Sequence, residues 1–202
     1  MNMKNLIVSL LALLAFNFFN TVYAETASPD VLVENTANEV LKILESDKDI
    51  ANGDMKKLGR LVEEKIATKF DFNRMSRSVL GRNWGVASKE QQDQFTIEFR
   101  TLLIRTYSSA LSKYRNQTIE YKPLHAEPGD NEVKVNTKII QPGGPAIPLD
   151  YSLEKSEETW RVYDVSIDGL SLVASYRGQI AEVLKQNGIN GVIQKLMEKN
   201  KS

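Results

Sequence analysis

One predicted helix carries an apolar face too broad for an ordinary core helix. Ser88 and Gln91 have the spacing of a capping box, which predicts a helix from Ser88 to Tyr114. At about 100° per residue, its apolar residues spread over about half of the circumference, whereas a core-facing stripe is narrower. Other parts of the chain or an apolar ligand must therefore cover this helix on two sides. The residues of the band are Phe95, Phe99, Leu102, Leu103, Thr106, Tyr107, Ala110, Leu111 and Tyr114, extended by Ile97 and Ile104.

The hydrophobic period changes along the chain, which predicts helices, then a sheet, then helices. Helix starts are marked by Ser28, Asp54 and Asp71 before the long helix. After residue 116, four segments of alternating hydrophobicity are linked by turns rich in Gly and Pro, which predicts a four-stranded, mainly antiparallel sheet. Ser171 begins a further helix that stops at Gly188, and a last short helix follows. The predicted class is α+β, with one twisted sheet packed against a layer of helices.

The first 24 residues have the pattern of a cleaved signal peptide. Lys4 precedes an apolar run from Leu6 to Phe19, and Val22-Tyr23-Ala24 is a small-x-small cleavage signal. We therefore expect one α+β domain over residues 25–202, in an exported protein. The chain contains no cysteine, so it has neither a disulfide framework nor a cysteine for lipidation. Its 26 basic residues balance 26 acidic ones, which argues against nucleic acid as a partner.

Few residues are suited to catalysis or metal binding. The single histidine, His125, lies in a turn-rich stretch, and no Gly-x-Ser-x-Gly motif occurs. One histidine without cysteine leaves only carboxylates as metal ligands, and we expect Asp164 and Asp168 to be structural, as partners of arginines or as caps. The sequence therefore predicts no enzyme, no metal site and no cofactor.

Two groups of residues resemble a known family. The first contains Phe70-Asp71-Phe72, Met75, Arg77, Leu80, Gly81, Trp84, Gln92, Phe95, Phe99, Arg100, Leu102, Leu103 and Tyr107, and the second contains Asp164, Val165, Gly169, Ser171, Leu172, Tyr176 and Arg177. Together they closely resemble the MlaC family, also called the toluene-tolerance auxiliary component, over nearly all of the chain after the leader.

The resemblance implies a function and a location. It implies a periplasmic carrier that encloses the acyl tails of a phospholipid, its cargo, and moves it between the outer and inner membranes, maintaining the lipid asymmetry of the outer membrane. It also implies two partners: an inner-membrane Mla ABC-transporter complex, met through its substrate-binding subunit, and an outer-membrane Mla lipoprotein with a porin.

The apolar residues of the predicted sheet and helices either close into a plain core or line a pocket. Composition leaves both open, and the resemblance favours a pocket for acyl chains. A β-bulge in the last long strand would exchange Val165 for Val162 at the pocket. The predicted pocket residues are Phe72, Met75, Leu80, Phe99, Leu103, Tyr107, Val135, Ile139, Leu149, Tyr151, Leu153, Val165 and Ile167.

Two alternative functions remain open on the residues alone. One is a periplasmic enzyme with an α+β pocket for a hydrophobic substrate, with Asp164 or Asp168 as the base. The other is a ligand-free adaptor whose broad helix face docks a partner. Five arginines also have two interpretations: positive charge for a phosphate or an acidic partner, or solvated helix faces with local salt bridges. They are Arg77, Arg82, Arg100, Arg105 and Arg177.

Overall fold

A computed structural model describes residues 27–113, 117–157 and 159–201 of the chain. The predicted signal peptide, residues 1–24, and Tyr114 lie outside the described residues. The first half is helical, as predicted. Its α-helices are α1 (Pro29–Ser46), α2 (Lys48–Ala51), α3 (Met55–Leu61), α4 (Phe72–Leu80) and α5 (Lys89–Leu111). After α3 the chain continues through a π-helical turn, Val62–Ile66, and a 3-10 turn, Ala67–Lys69, and a second 3-10 turn, Gly81–Trp84, follows α4.

Side-chain caps are present at three of the predicted helix starts, whereas Ser28, which directly precedes α1, makes no side-chain capping hydrogen bond. The Asp54 carboxylate accepts a hydrogen bond from the backbone N–H of Lys57, and the Asp71 carboxylate accepts one of 2.7 Å from that of Arg74. Ser88 and Gln91 form the complete capping box, with both reciprocal hydrogen bonds present. These contacts satisfy backbone donors that have no partner within the helix.

The sheet is antiparallel throughout, and its strands lie in sequence order. It contains five strands rather than the predicted four: β1 (Thr118–Tyr121), β2 (Glu132–Ile140), β3 (Ile147–Ser156), β4 (Thr159–Ile167) and β5 (Leu170–Ser171). The prediction missed β5 because two residues after a tight turn are too few to show an alternating pattern. Ser171 of β5 pairs with Ser166 of β4. The α+β class, with an antiparallel sheet packed against helices, is confirmed.

A β-bulge at Tyr163 changes which residues of β4 face the helices. Ser152 pairs with Asp164, but the next residue of β3, Leu153, pairs with Val162, so Tyr163 has no direct partner. Both Val162 and Val165 are buried, at 3% and 6% exposure. The expectation that a bulge would replace Val165 by Val162 was therefore wrong. The extra residue keeps both valines on the inner face of the sheet.

The last helix, α6 (Leu172–Lys201), is interrupted where the sequence predicts a stop. Gly188 has a φ of 64°, a conformation that glycine adopts without steric cost, and it divides α6 into two helical segments. No helix in the described part of the chain combines the length and the apolar character that a membrane span requires.

Three groups of buried residues hold the elements together. The first joins α4, α5 and α6 around Phe95 and Phe99, and the second covers the inner face of the sheet. The third joins α1, α2 and α3 around Val40 and Leu58, with Ile104 and Leu111 of α5 packed against it. Helix α5 therefore contacts protein on two sides, as its broad apolar face requires.

Candidate functional site

A cavity of about 520 Å³ lies between the inner face of the sheet, α1, α5 and the π-helical turn. Its volume falls in the usual range of ligand sites, roughly 300–1,000 Å³. Aliphatic and aromatic side chains form most of the wall. Within the described part of the chain, its polar members besides two tyrosines are Thr36, Lys69, Lys113, Gln117 and Gln141.

Helical periodicity supplies one wall of the cavity. From α1, Leu32, Thr36 and Val40 line it at intervals of four residues, each followed by a second lining residue. From α5, the lining residues are Leu103, Ile104, Tyr107, Ala110 and Leu111. The broad apolar band of α5 is thereby divided, since Phe95 and Phe99 pack against α4 and α6 while the later residues face the cavity.

The sheet supplies the opposite wall through its alternation. Leu149 pairs with Ile167 and Tyr151 pairs with Val165, so these four side chains occupy two successive inward positions. Thr137, opposite Leu149 on β2, is 1% exposed, and its hydroxyl donates a 2.6 Å hydrogen bond to the Leu149 carbonyl. This buried hydroxyl is thus satisfied without adding a free polar group to the wall.

Most of the predicted pocket residues line this cavity. Nine do so: Phe72, Met75, Leu103, Tyr107, Ile139, Leu149, Tyr151, Val165 and Ile167. Four do not: Leu80 and Phe99 belong to the core between α4, α5 and α6, and Val135 and Leu153 to the buried layer on the sheet. That the lining residues contact lipid stays a prediction.

The sequence analysis missed the contribution of the first helices. Val62, Ile66 and Ala67 line the cavity from the π-helical turn and the residue after it, and α1 contributes six residues. The apolar period of α1 was visible in the sequence, but it could not show that the helix crosses the open side of the sheet. The π-helical turn leaves no such signal, since a regular α-helix gives the same pattern.

The tyrosines of the wall are neutral. Burial raises the pKa of Tyr107 to about 12 and also raises that of Tyr151. Both phenols therefore remain protonated at physiological pH. Among the described residues that line the cavity, Lys69 and Lys113 are the charged ones.

A cluster of charges outside the cavity fixes α4 to the sheet. The Arg74 guanidinium pairs with Glu132 at 2.7 Å and with Glu154, and lies 3.6 Å from the ring centre of Tyr163, the bulged residue. The Tyr163 hydroxyl donates a 3.0 Å hydrogen bond to Glu132. Hydrogen bonds from Arg74 and Tyr163 hold the pKa of the Glu132 carboxyl below its usual range.

Most of the five arginines singled out in the sequence make local contacts. Arg100 pairs with Glu63, and its guanidinium lies 5.4 Å from the Phe72 ring centre. Arg177 donates to the Ser78 carbonyl and Arg105 to that of Lys199. Arg77 lies over the Trp84 ring. None of the five lines the cavity, so the structure does not place them at the head of an enclosed ligand.

Asp164 has a structural role in this fold. Its carboxylate accepts hydrogen bonds from the backbone N–H groups of Val165 and Val173, at 2.8 and 3.1 Å, and from the hydroxyl of Ser171. It thereby joins β4 to the start of α6. Asp168 is exposed, with a φ of 50° in the turn before β5. Among the described residues, no group of three or more His, Cys, Asp or Glu side chains could hold a metal ion.

The fold and the site define an α+β protein with an apolar cavity between a sheet and a helical layer. The family model for MlaC protein matches residues 34–198. The chain therefore belongs to the MlaC family.

Two curated relatives and one solved structure match this chain over most of their length. The toluene tolerance protein ttg2D of Pseudomonas putida is 28% identical over 89% of this chain and 82% of its own. The intermembrane phospholipid transport system binding protein MlaC of Haemophilus influenzae is 28% identical over 92% of this chain and 88% of its own. The phospholipid-binding protein of Ralstonia solanacearum, solved in complex with a phospholipid, has a TM-score of 0.81 and 39% identity, covering 87% of this chain and 98% of its own.

Proposed function

We propose that this protein is a periplasmic phospholipid carrier, and that its cavity encloses acyl tails. The observation that carries the proposal is the apolar cavity of about 520 Å³, bounded by α1, α5 and the sheet. Support comes from the 39% identical Ralstonia protein, whose structure contains a phospholipid. The proposal includes no catalytic step and no resident cofactor; the bound phospholipid is cargo.

The energetics of the cargo explain why an enclosed site is needed. Exposing two acyl chains of about 16 carbons each to water costs about 25 kcal/mol, at about 0.8 kcal/mol per methylene. A shallow groove would leave much of this cost uncompensated. A cavity walled on opposite sides by helices and sheet removes far more of the tail surface from water.

The polar lining residues suggest where the head group lies. Lys113 follows α5, Gln117 precedes β1 and Gln141 follows β2. Because Ile119 of β1 pairs with Ile139 of β2, Gln117 and Gln141 lie at the same end of the sheet. We infer that the phosphate lies at this end, where the ammonium of Lys113 can attract it.

The family relationship supports a role between two membranes. We propose that residues 1–24 are a signal peptide, that residues 25–202 form one lipid-binding domain in the periplasm, and that the carrier exchanges lipid with two partners. These are the inner-membrane Mla ABC-transporter complex, through its substrate-binding subunit, and the outer-membrane Mla lipoprotein with its porin. The exchange maintains the lipid asymmetry of the outer membrane.

A transfer assay between vesicles tests the carrier function. Donor vesicles contain a self-quenched fluorescent phospholipid, and acceptor vesicles lie behind a membrane that passes protein but not vesicles. We expect the protein to carry fluorescence to the acceptors and Leu103→Arg, in the cavity wall, to stop transfer. Ile97→Arg, on the same helix but 56% exposed, is the matched control and should transfer normally. Equal transfer by Leu103→Arg and the native protein would contradict the proposal.

A further inference from the structure

A second concavity, of about 450 Å³, shares no lining residue with the cavity. One wall is the end of α4 and the following 3-10 turn, from Val79 to Asn83. The other is a face of α6 carrying Arg177, Ala181, Leu184 and Lys185. We call it the α4–α6 groove.

The α4–α6 groove is positively charged in a chain that is neutral overall. Arg82, Arg177 and Lys185 line it, and none of the described residues that line it is acidic, although the whole chain has 26 residues of each sign. All three cations are exposed, and within residues 27–113, 117–157 and 159–201 none forms a salt bridge. By contrast, Arg74 and Arg100 are both paired with carboxylates.

Arg177 is held in place across the groove. Its Nε and one terminal nitrogen donate to the backbone carbonyl of Ser78 on α4, the Nε bond being 2.8 Å long. A guanidinium has five N–H donors. The other three have no acceptor in the described part of the chain. A fixed guanidinium with free donors loses little conformational entropy when it binds a carboxylate.

We propose that the α4–α6 groove docks an acidic amphipathic segment of a protein partner. Leu184, half-buried between Arg177 and Lys185, offers an apolar surface for one side chain of the partner, and the three cations bind its flanking carboxylates. The concave shape favours a protein segment, because a protruding side chain can enter the groove and a flat lipid surface cannot.

Photo-crosslinking in cells that express the full chain tests this surface. A benzophenone amino acid replaces Ala181, which lines the groove, and a second variant carries it at Asn38, an exposed position on α1. Mass spectrometry identifies the partner and the crosslinked segment. We expect an adduct only from position 181, on a segment with at least two Asp or Glu residues beside an apolar residue. A synthetic peptide of that segment should then bind the purified protein, more weakly as salt increases.

Charge reversal separates specific docking from general attraction. Arg82→Glu with Lys185→Glu should reduce adduct yield and peptide affinity by about tenfold. Lys42→Glu with Lys56→Glu, at exposed positions on α1 and α3, makes the same change in net charge and should have little effect. Equal losses in the two double variants would overturn the proposal. So would a segment without acidic residues, an adduct with lipid alone, or no adduct at position 181 in a protein with unchanged thermal unfolding.

Discussion

Val162 and Val165 are three residues apart on β4, yet both line the cavity. In a regular strand, residues three apart point to opposite faces. The bulge at Tyr163 removes this conflict, because Val162 pairs with Leu153 while Val165 pairs with Tyr151 on the same inner face. The Tyr163 ring meanwhile lies under the guanidinium of Arg74 on the outside of the cavity.

From the bulge at Tyr163 we predict the effect of two substitutions. Val162→Arg and Val165→Arg should each abolish co-purification of lipid, because each puts a guanidinium into the apolar cavity, where an unpaired charge is unfavourable. Lipid extraction and quantification from the purified variants provide the measurement. Leu170→Arg, on the neighbouring strand but 70% exposed, is the control and should retain lipid. Loss of lipid in only one of the two valine variants would mean that β4 is regular in solution.

Truncating a residue that lines the cavity should lower the free energy of unfolding less than truncating a residue of the packed core. Phe99 is 1% exposed and packs on Phe95 and Tyr176, so Phe99→Ala should lower the free energy of unfolding by about 3–5 kcal/mol. Leu149→Ala should cost about 2 kcal/mol or less in lipid-free protein, since part of its side chain already faces empty space. Urea unfolding of lipid-free protein measures both. If Phe99→Ala and Leu149→Ala lowered the free energy of unfolding equally, the cavity would be closed in solution.

The Glu132 carboxyl should make a small contribution to acid stability. Its pKa is lowered in the folded protein, first by the hydrogen bond from Arg74, so its contribution is present above the unfolded-state pKa and is lost as pH falls through the folded value. The difference in Tm between the native protein and Glu132→Gln should shrink on going from about pH 6 to about pH 3. Because the side chain is 56% exposed, the effect is at most about 1 kcal/mol.

Glu120→Gln provides the control for this pH dependence. Glu120 is exposed on β1 and forms no salt bridge within the described residues. The Tm of Glu120→Gln should equal that of the native protein at each pH. A constant gap between the native protein and Glu132→Gln at all pH values would assign the effect to packing instead of charge.

Lys113 should influence which head groups are retained. Lys113→Glu places a negative charge at the polar end of the cavity and should lower the ratio of anionic to zwitterionic phospholipid bound by about fivefold, equivalent to about 1 kcal/mol. Lys122→Glu makes the same charge change at an exposed position that does not line the cavity and should leave the ratio unchanged. Competition between phosphatidylglycerol and phosphatidylethanolamine, read by mass spectrometry, provides the test. An unchanged ratio for Lys113→Glu would place the head group elsewhere.

The sequence predicts local features well where short-range chemistry decides them. The capping box at Ser88, the Asp71 cap and the break at Gly188 all depend on residues close in the chain, and all are present. The inward positions of β2 and β3 also follow from a local pattern, the alternation of apolar and polar residues along each strand. The two-residue strand β5 contains too little pattern to be predicted.

The sequence could not distinguish the residues that line the cavity from those of the packed core. Leu149 and Leu153 have the same residue type and lie on the same face of β3, but Leu149 lines the cavity whereas Leu153 is 0% exposed in a packed layer. The difference depends on which helix lies above each residue. That placement arises from long-range packing of α1 and the π-helical turn over the sheet, and no local pattern encodes it.

Native mass spectrometry of freshly purified protein tests the central claim most directly. If the cavity holds acyl tails, the spectrum contains the protein with a stoichiometric phospholipid mass, and collisional activation releases that mass intact. Leu149→Arg should yield a folded protein without the added mass. A folded native protein that carries no lipid, together with no phospholipid in its organic extract, would contradict the claim.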